Sequence, residues 1–396
     1  MKKTLIALAV IAASSTAMAQ STVTLYGLID ASVQSFKTNV YTASTTTAGV
    51  ITTANVRQTR LGSGVQNGSR WGMKGSEDLG GGLNAVFDLQ SGFSVDTGAS
   101  GQGGLLFGRH AFVGLNGGFG TLTFGRHDTS LDDEIGNFVA SAHNGADATN
   151  GPGVTKAMAG VITGATTVTS GATSAANITN TATIAAAYNA VAGNVGAWVG
   201  YNSRVDNSIK FQTANYAGFT GSATYGLGED KTATASATST LSLAAKYANG
   251  PVGVLLAYQD EAMAKNAAQT TTTGNINLKN TLVGATYDFG MAKLYSAFNQ
   301  AKLEVGTSSR KNKEYSVGVS APVGAFTLRA EYAQSKGDVF STVAGTEIKS
   351  KGYDLEALYD LSKRTTLYTS YVNTKHDATD STSNTSLFAV GIRHKF

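Results

Sequence analysis

The feature of this chain that most restricts its fold is a series of segments, each about ten residues long, in which apolar and polar side chains alternate. One such row comprises Leu241, Leu243, Ala245 and Tyr247, and the next, after a turn, comprises Val252, Val254, Leu256 and Tyr258. A period of two is typical of β-strands, because successive side chains point to opposite faces of the sheet. The chain is therefore predicted to be all-β.

The face opposite the apolar rows carries ionisable residues. Arg329 and Glu331 alternate with the row that begins at Phe326, and Asp354 and Glu356 alternate with a row of similar character. Ionisable groups facing the dry core of a soluble sandwich would be costly. In a transmembrane barrel they face a wet lumen, so the pattern predicts an antiparallel β-barrel with lipid outside and water inside.

The predicted connections between strands alternate in length. Tight turns are predicted at 78–82, 116–120, 249–251, 290–291 and 361–364, and longer polar connections at 35–68, 94–106, 229–239, 262–278, 303–313, 335–350 and 374–385. Short turns at one end and long loops at the other are typical of bacterial outer-membrane barrels. Counted in this way, the chain has about sixteen strands, which is the size of a porin barrel.

The first nineteen residues have the three parts of a secretory signal peptide. Lys2 and Lys3 precede an apolar run, and Ala17-Met18-Ala19 supplies small residues for cleavage. We therefore expect residues 1–19 to be removed and residues 20–396 to form a single barrel domain. No later window approaches the roughly 18 apolar residues of a spanning helix.

Composition limits the remaining function classes. Without Lys2 and Lys3, the 30 basic residues become 28 against 26 acidic ones, a net charge of +2 that argues against a nucleic-acid partner. The chain has no cysteine, and a closed barrel can be stable without disulfides because every backbone group pairs around the ring. The five histidines have no compact metal-binding spacing and no nucleophile motif, so no metal, cofactor or catalytic residue is predicted.

Five stretches of the chain resemble the general porins of β-proteobacteria. They are QSTVTLYGLID at 20–30, SRWGMKGSEDLGGGL at 69–83, GRHAFVGL at 108–115, FGTLTFGR at 119–126 and VGIRHKF at 390–396. The resemblance thus runs from the first strand to the last residue. It implies a sixteen-stranded homotrimer in the outer membrane of a Gram-negative bacterium, surrounded by lipid and lipopolysaccharide and inserted by the barrel-assembly machinery.

In this family the third long loop folds into the barrel and narrows it. Residues 128–194 occupy that place in the order of strands, and their segment 136–194 is low in complexity and longer than is usual for the family. The resemblance also implies an arginine cluster in the pore, which we assign to Arg70 and Arg109. The C-terminal row resembles the family's barrel-insertion signal; it consists of Phe388, Val390, Ile392, His394 and Phe396. An aromatic residue that closes the ring at the membrane interface is a compatible role for the last of these.

Alternation predicts further charged groups in the lumen. Arg70 and Lys74 lie opposite Trp71 and Met73, and the set Arg204, Asp206 and Lys210 lies opposite Ile209 and Phe211. Arg126 falls on the outward row unless the phase breaks. The acidic counterpart is expected at the start of the loop, on Asp128, Asp132, Asp133 and Glu134. Bases facing acids across a narrow passage would filter ions by charge; the plainer alternative is that these charges only keep a wet surface soluble.

Three functions remain to be compared. The first is a channel for passive diffusion of small hydrophilic solutes and ions, with weak anion preference. The second is an outer-membrane enzyme, for which the sequence offers no nucleophile system. The third is an adhesin or surface antigen using the Thr- and Ala-rich loops, which could accompany a channel. The sequence leaves the natural solute and voltage gating open.

Overall fold

The computed structural model describes residues 22–43, 51–141, 197–233, 236–264, 275–339, 347–377 and 381–396. The predicted signal peptide 1–19 and most of the low-complexity segment lie outside the described residues. In the described part of the chain, no helix is long and apolar enough to cross a bilayer.

Seventeen strand segments form one antiparallel sheet that closes on itself. They are β1 (Thr22–Ala43), β2 (Ile51–Ser63), β3 (Arg70–Gly80), β4 (Leu83–Gly92), β5 (His110–Gly117), β6 (Gly120–Asp128), β7 (Arg204–Thr213), β8 (Phe219–Leu227), β9 (Ser239–Asn249), β10 (Val252–Ala264), β11 (Ile276–Asp288), β12 (Lys293–Val305), β13 (Ser308–Val323), β14 (Phe326–Gly337), β15 (Ile348–Asp360), β16 (Thr365–Asp377) and β17 (Ser381–Lys395). From β3 onward each strand pairs with its neighbours in the chain, β1 pairs with both β2 and β3, and β17 pairs with β1 to close the barrel.

Two of the segments share one position in the barrel wall. The first part of β1 pairs with β3, from Leu28 opposite Arg70 downward, while the later part pairs with β2, from Ala31 opposite Ser63 upward. Since β2 and β3 lie on the same side of β1, the wall has sixteen positions, as the sequence predicts. The long connection predicted at 35–68 is therefore wrong for most of its length, since it contains the end of β1 and all of β2, whose residues are mostly polar. Residues 64–69 form the break between β2 and β3.

The connections are short at one end of the barrel and long at the other. Short turns include the one at Gly80, Gly81 and Gly82, where all three residues have φ between +63° and +86° and so favour glycine. Phe396 meets β1 at this end, where its N–H donates to the carbonyl of Gly27. We refer below to the short-turn end and the long-loop end.

Several predicted loops are shorter than expected because strand pairing continues into them. The stretch 303–313 was predicted as a loop, but β12 runs to Val305 and β13 begins at Ser308. The loops predicted at 335–350 and 374–385 likewise reduce to residues 338–347 and 378–380 between strands. Backbone hydrogen bonds do not require an apolar row, so the hairpins extend past the apolar band with polar residues on both faces.

The outer surface is apolar over its middle and aromatic near both margins. Leu328, Leu355 and Val390 are 43%, 54% and 53% exposed, as lipid-facing residues should be when no lipid is present. Aromatic pairs lie near the margins of this band, with ring centroids 5.1 Å apart for Phe326 and Tyr359 and 5.8 Å apart for Tyr353 and Tyr371. These are the girdles expected at membrane interfaces.

Candidate functional site in the barrel lumen

The third long connection folds into the barrel as soon as β6 ends. After Asp128 a short helix, α1 (Ser130–Ile135), begins with Thr129 as its N-cap, whose hydroxyl oxygen accepts the backbone N–H of Asp132 at 3.3 Å. The backbone N–H of Leu131 donates to Ser242 of β9 at 3.0 Å, so the helix lies against the inner wall. The predicted inward loop is therefore confirmed for residues 129–141 and 197–203; residues 142–196 lie outside the described part of the chain.

An apolar patch on the inner wall receives this loop. Leu131, Ile135, Phe138 and Trp198 are buried in one cluster with inward residues of β9 to β14. Two wall glycines make room for the loop. A Cβ atom at Gly284 would lie 2.9 Å from Phe138, and one at Gly318 would lie 2.5 Å from the Cβ of Ala140.

Three glutamates of the inner wall hold the loop by its backbone. Glu331 accepts the N–H of Ser141 at 3.0 Å and also its hydroxyl. Glu314 accepts the N–H of Val199 at 2.6 Å, and Glu261 accepts the N–H of Asn202 at 2.8 Å. A buried carboxylate needs such donors, and a loop without regular structure needs such acceptors. These acids are thus occupied in positioning the loop.

The acids of the loop are paired with bases of the adjacent wall. Asp128 lies 2.7 Å from the Nε of Arg204 and 3.0 Å from the Nε2 of His110, which also contacts Asp88 at 2.9 Å. Glu134 accepts from Lys246 at 2.7 Å. Asp133 pairs with Lys210, and Asp132 accepts the hydroxyl of Tyr201 at 3.0 Å. The wall behind the helix therefore neutralises most of its negative charge.

A second segment, residues 64–69, enters the lumen from the opposite side. Its Gln66 and Asn67 donate their backbone N–H groups to the Oδ2 of Asp30 at 2.8 and 2.7 Å. The other oxygen of Asp30 accepts the hydroxyl of Tyr368 at 2.6 Å. The side chain of Gln66 donates to Glu356 at 2.5 Å. One fully buried carboxylate thus fixes the break between β2 and β3 against the inner wall.

Between the two inward segments lies a cavity of about 440 Å³. Asp128, Asp132 and Asp133 line it from the side of α1, and Asn67 lines it from the second segment. Its remaining charged lining is basic and comes from the opposite wall; it consists of Lys293 of β12, Arg329 of β14 and Arg393 of β17. Arg393 donates to the side chain of Asn67 at 3.0 Å, and Arg329 lies 3.4 Å from Glu356. Acids and bases thus face each other across the passage.

The predicted basic residues are brought together in part. Burial lowers the pKa of the loop residue Arg109 below its usual value, and the neighbouring cations Arg204 and Arg70 act in the same direction. The Nε of Arg109 donates to Gln90 at 2.5 Å. Lys74 lies over the ring of Tyr26, 5.2 Å from its centroid. Arg70, Arg109 and Arg204 thus form a basic group beside Asp128, whereas Lys74 lies against Tyr26.

Two predicted positions differ because the alternation breaks. The register shifts between Gly125 and His127, and Asn207 has φ +50°, so β6 and β7 bulge together. Asp206, which strict alternation puts beside Lys210 in the lumen, pairs instead with Arg126. The Nε of Arg126 donates to the carbonyl of Gly108 at 2.8 Å. Arg126 therefore contacts Asp206 and Gly108 and none of the acids of α1.

Sequence reasoning did not assign the bases of the far wall to the constriction, although it placed one of them, Arg329, in the lumen. Lys293, Arg329 and Arg393 each follow or precede an outward apolar residue, such as Leu328 for Arg329 and Ile392 for Arg393. Alternation alone was enough to place them in the lumen. The loop residues Asn67 and Gln66 carried no comparable signal, because their partners Asp30 and Glu356 are remote in sequence.

The five residues of the predicted insertion signal share the outer face of β17. Phe388, Val390, Ile392 and Phe396 are between 43% and 53% exposed, and His394 is exposed beside them. Across the described ranges, no group of three or more His, Asp or Glu residues is arranged to hold a metal ion.

The chain is similar to known proteins over its whole length. The family model described as Gram-negative porin matches residues 4–379. An outer membrane porin protein of Bordetella pertussis is 30% identical over all of both chains, and outer membrane porin protein 32 of Delftia acidovorans is 29% identical over 93% of this chain and 88% of its own.

Solved structures repeat this likeness. The anion-selective porin from Comamonas acidovorans matches with a TM-score of 0.69 and 25% identity, over 95% of this chain and all of its own. The trimer form of OmpT from Vibrio cholerae matches with a TM-score of 0.59 at 16% identity, over 95% of this chain and 99% of its own, which is a likeness of fold.

Proposed function

Because the chain belongs to the Gram-negative porin family, we propose that it forms a water-filled channel through which small hydrophilic solutes and ions diffuse passively, with a weak preference for anions. It is an outer-membrane protein, and its barrel crosses that membrane with sixteen strands. We assign it no catalytic role.

The observation that carries the anion preference is the state of the charges around the cavity. The carboxylates of Asp128 and Asp133 already have basic partners in the wall behind them. On the other side, Lys293 contacts the ring of Tyr295, and Arg393 donates to Asn67 and Thr366. Among the described residues neither cation has a carboxylate within ion-pair distance, and the buried carboxyl of Asp30 acts on Arg393 only from farther away. A paired carboxylate attracts a passing cation less than an unpaired guanidinium attracts an anion, so the local field favours anions. The similar porin from Comamonas acidovorans is anion-selective, which agrees with this sign.

The residues that we propose as the pore constriction are those predicted from sequence together with the far wall. They are Arg70, Lys74, Arg109, Arg126, Arg204, Lys210, Asp128, Asp132, Asp133 and Glu134, joined by Lys293, Arg329 and Arg393. Within this set Arg126 has the weakest support, since its guanidinium is paired with Asp206.

Three further properties are part of the proposal. Residues 1–19 are a signal peptide, and residues 20–396 are the mature barrel. The chain assembles as a homotrimer, which solved porin structures of trimeric form support at the level of the fold. The outward row that ends at Phe396 serves as the signal to the barrel-assembly machinery; deleting Phe396 should then lower the amount of protein in the outer membrane, whereas deleting the exposed Leu361 should not.

The test is single-channel recording in a planar bilayer with a KCl gradient. We expect ohmic steps that close in thirds, and a reversal potential whose sign indicates that Cl⁻ is more permeant than K⁺. Folded protein that gives no conductance would refute the channel. A reversal potential of the opposite sign would refute the anion preference while leaving the channel intact.

A further inference from the structure

The outer surface of the barrel carries a continuous group of lysines at the long-loop end. We call the following residues the lysine belt: Lys279, Lys302, Lys311, Lys313, Lys336, Lys349, Lys351 and Lys375. All lie on outward rows of β11 to β16, in phase with lipid-facing residues such as Val317 and Leu355. They belong to the outside of the barrel and take no part in the lumen.

The belt is built from lysines that face each other directly across strands. Lys302 is in register with Lys279 on one side and with Lys311 on the other. In the same way Lys336 is flanked by Lys313 and Lys349. Lys351 is in register with Lys375. Like charges directly opposite in a sheet repel each other, so an isolated barrel would gain nothing from this arrangement.

Acidic residues of the protein offset only part of this charge. Glu304 pairs with Lys279 and Lys302, and Asp260 lies 3.8 Å from Lys279. Glu347 pairs with Lys336 at 3.2 Å and Asp377 with Lys375 at 2.7 Å.

A fifth acid near the belt, Asp338, accepts the backbone N–H of Lys311. Within the described ranges, the ammonium groups of Lys313, Lys349 and Lys351 have no acidic side chain within ion-pair distance. The belt therefore keeps a positive excess.

The height of the belt matches the level of the lipid headgroups. On β14, Phe326 of the short-turn girdle and Lys336 of the belt are ten residues apart. At roughly 3.3 Å per residue and a strand tilt of about 40°, this separation spans about 25 Å along the barrel axis. The apolar band of an outer-membrane barrel is also about 25 Å tall. The lysines thus emerge where the acyl chains of the outer leaflet end and the charged headgroups begin.

From the register, the charge excess and this height we infer that the lysine belt binds the phosphate groups of lipopolysaccharide, the phosphorylated glycolipid of the outer leaflet. Basic residues at headgroup level bind anionic lipids in this manner. The tyrosines just below the belt, among them Tyr332 and Tyr353, would contact the upper ends of the acyl chains. The inference rests on the outer-membrane location and is independent of conduction.

The test compares three forms of the folded, full-length barrel. The belt variant carries Lys313→Gln, Lys349→Gln and Lys351→Gln. The matched control loses the same charge from exposed loops and turns, through Lys231→Gln, Lys363→Gln and Arg364→Gln. Binding of bis-phosphorylated lipid A and of dephosphorylated lipid A is measured for each form, for example by native mass spectrometry of detergent-solubilised protein.

We expect wild type and control to bind the phosphorylated lipid about ten-fold more tightly than the dephosphorylated one, and the belt variant to lose that preference. Raising the salt concentration should weaken only the phosphate-dependent part. Equal binding of both lipids by wild type, or a preference retained in the belt variant, would overturn the inference. Single-channel conductance is recorded on the same samples; wild-type protein that binds lipid A but does not conduct would instead refute the proposed channel.

Discussion

Neutralising Arg393 should reduce the anion preference of the pore by an amount that the structure allows us to estimate. A sphere with the 440 Å³ volume of the cavity has a radius of about 4.7 Å, so an ion inside it passes about that far from the guanidinium. At the dielectric constant of water, a unit charge at this distance contributes roughly 0.9 kcal/mol. With a Debye length of about 10 Å at 0.1 M salt, screening leaves about 0.55 kcal/mol, or a factor of about 2.5 in local ion concentration. Because Cl⁻ loses this factor and K⁺ gains it, Arg393→Gln should lower the permeability ratio of Cl⁻ to K⁺ roughly six-fold.

Arg393→Gln removes one charge and can keep the hydrogen bonds, because Asn67 and Thr366 are neutral and glutamine can still donate to them. The buried carboxyl of Asp30, which also acts on Arg393, keeps its own donors in the variant. The assay is the reversal potential across a KCl gradient, and Lys363→Gln, an exposed change at the short-turn end, is the control for loss of one charge. The variant's effect should shrink as the salt concentration rises. If Arg393→Gln left the reversal potential equal to that of the control, the bases of the far wall would not set selectivity and the argument from the cavity would be wrong.

Three other changes test other parts of the lumen. Gly284→Val should push Phe138 and the loop toward the barrel axis and so lower the single-channel conductance. Gly221→Ala should leave the conductance unchanged, because a Cβ atom there meets only an ordinary contact at 3.6 Å. Equal conductance in both variants would contradict the packing argument. Asp30→Asn should lower the temperature at which the folded barrel unfolds, measured by the loss of its heat-modifiable migration in SDS gels. The reason is that the substitution weakens charge-assisted hydrogen bonds of about 1.5–3 kcal/mol each. An unchanged transition temperature would show that contacts other than those of Asp30 hold the segment 64–69. Enclosure in the lumen raises the pKa of Asp133, although Lys210 acts in the opposite sense. As the solution is acidified, the plot of anion preference against pH should therefore begin to rise at a higher pH than it would for an ordinary aspartate, and Asp133→Asn should abolish this inflection. If the inflection survived the substitution, it would have to be assigned to another group.

The sheet was predictable from sequence because a membrane barrel imposes one repeated constraint. Every strand must present an outward apolar row, and rows such as Leu241 to Tyr247 report both the strand and its phase. Strand ends were less predictable. Toward the long-loop end the outward residues become polar, as Lys311 and Lys313 are. A strand with polar residues on its outer face cannot be distinguished from a loop by its sequence, although its backbone pairing continues.

The parts of the site that sequence could not supply depend on breaks in that constraint. A bulge can form without any change in the number of apolar residues in a strand. The sequences of β6 and β7 therefore do not indicate the register shift that brings Asp206 next to Arg126. The inward segment at 64–69 depends on Asp30 and Glu356, whose roles appear only once β1 and β15 are placed around the ring. The bases at 293, 329 and 393 are different. Alternation places them in the lumen, but it does not show at which height along the pore each base lies, so it cannot tell which of them line the constriction.

The ion selectivity of this pore cannot be predicted by counting its charged residues, because many of its acids hold the inward loop while the bases opposite face the passage. Glu261, Glu314 and Glu331 face the lumen, yet each accepts backbone N–H groups of the inward loop. Their carboxyl oxygens are therefore taken up by the hydrogen bonds that hold the constriction in place, and they do not face a passing ion as free carboxylates. On α1, Asp133 and Glu134 pair with lysines of the wall behind them, and Asp132 accepts the hydroxyl of Tyr201. The charges left to act on a passing ion are therefore mainly the cations opposite. A mature net charge of only +2 is thus compatible with an anion-preferring passage, since the loop that narrows the pore uses the negative charges as its anchors.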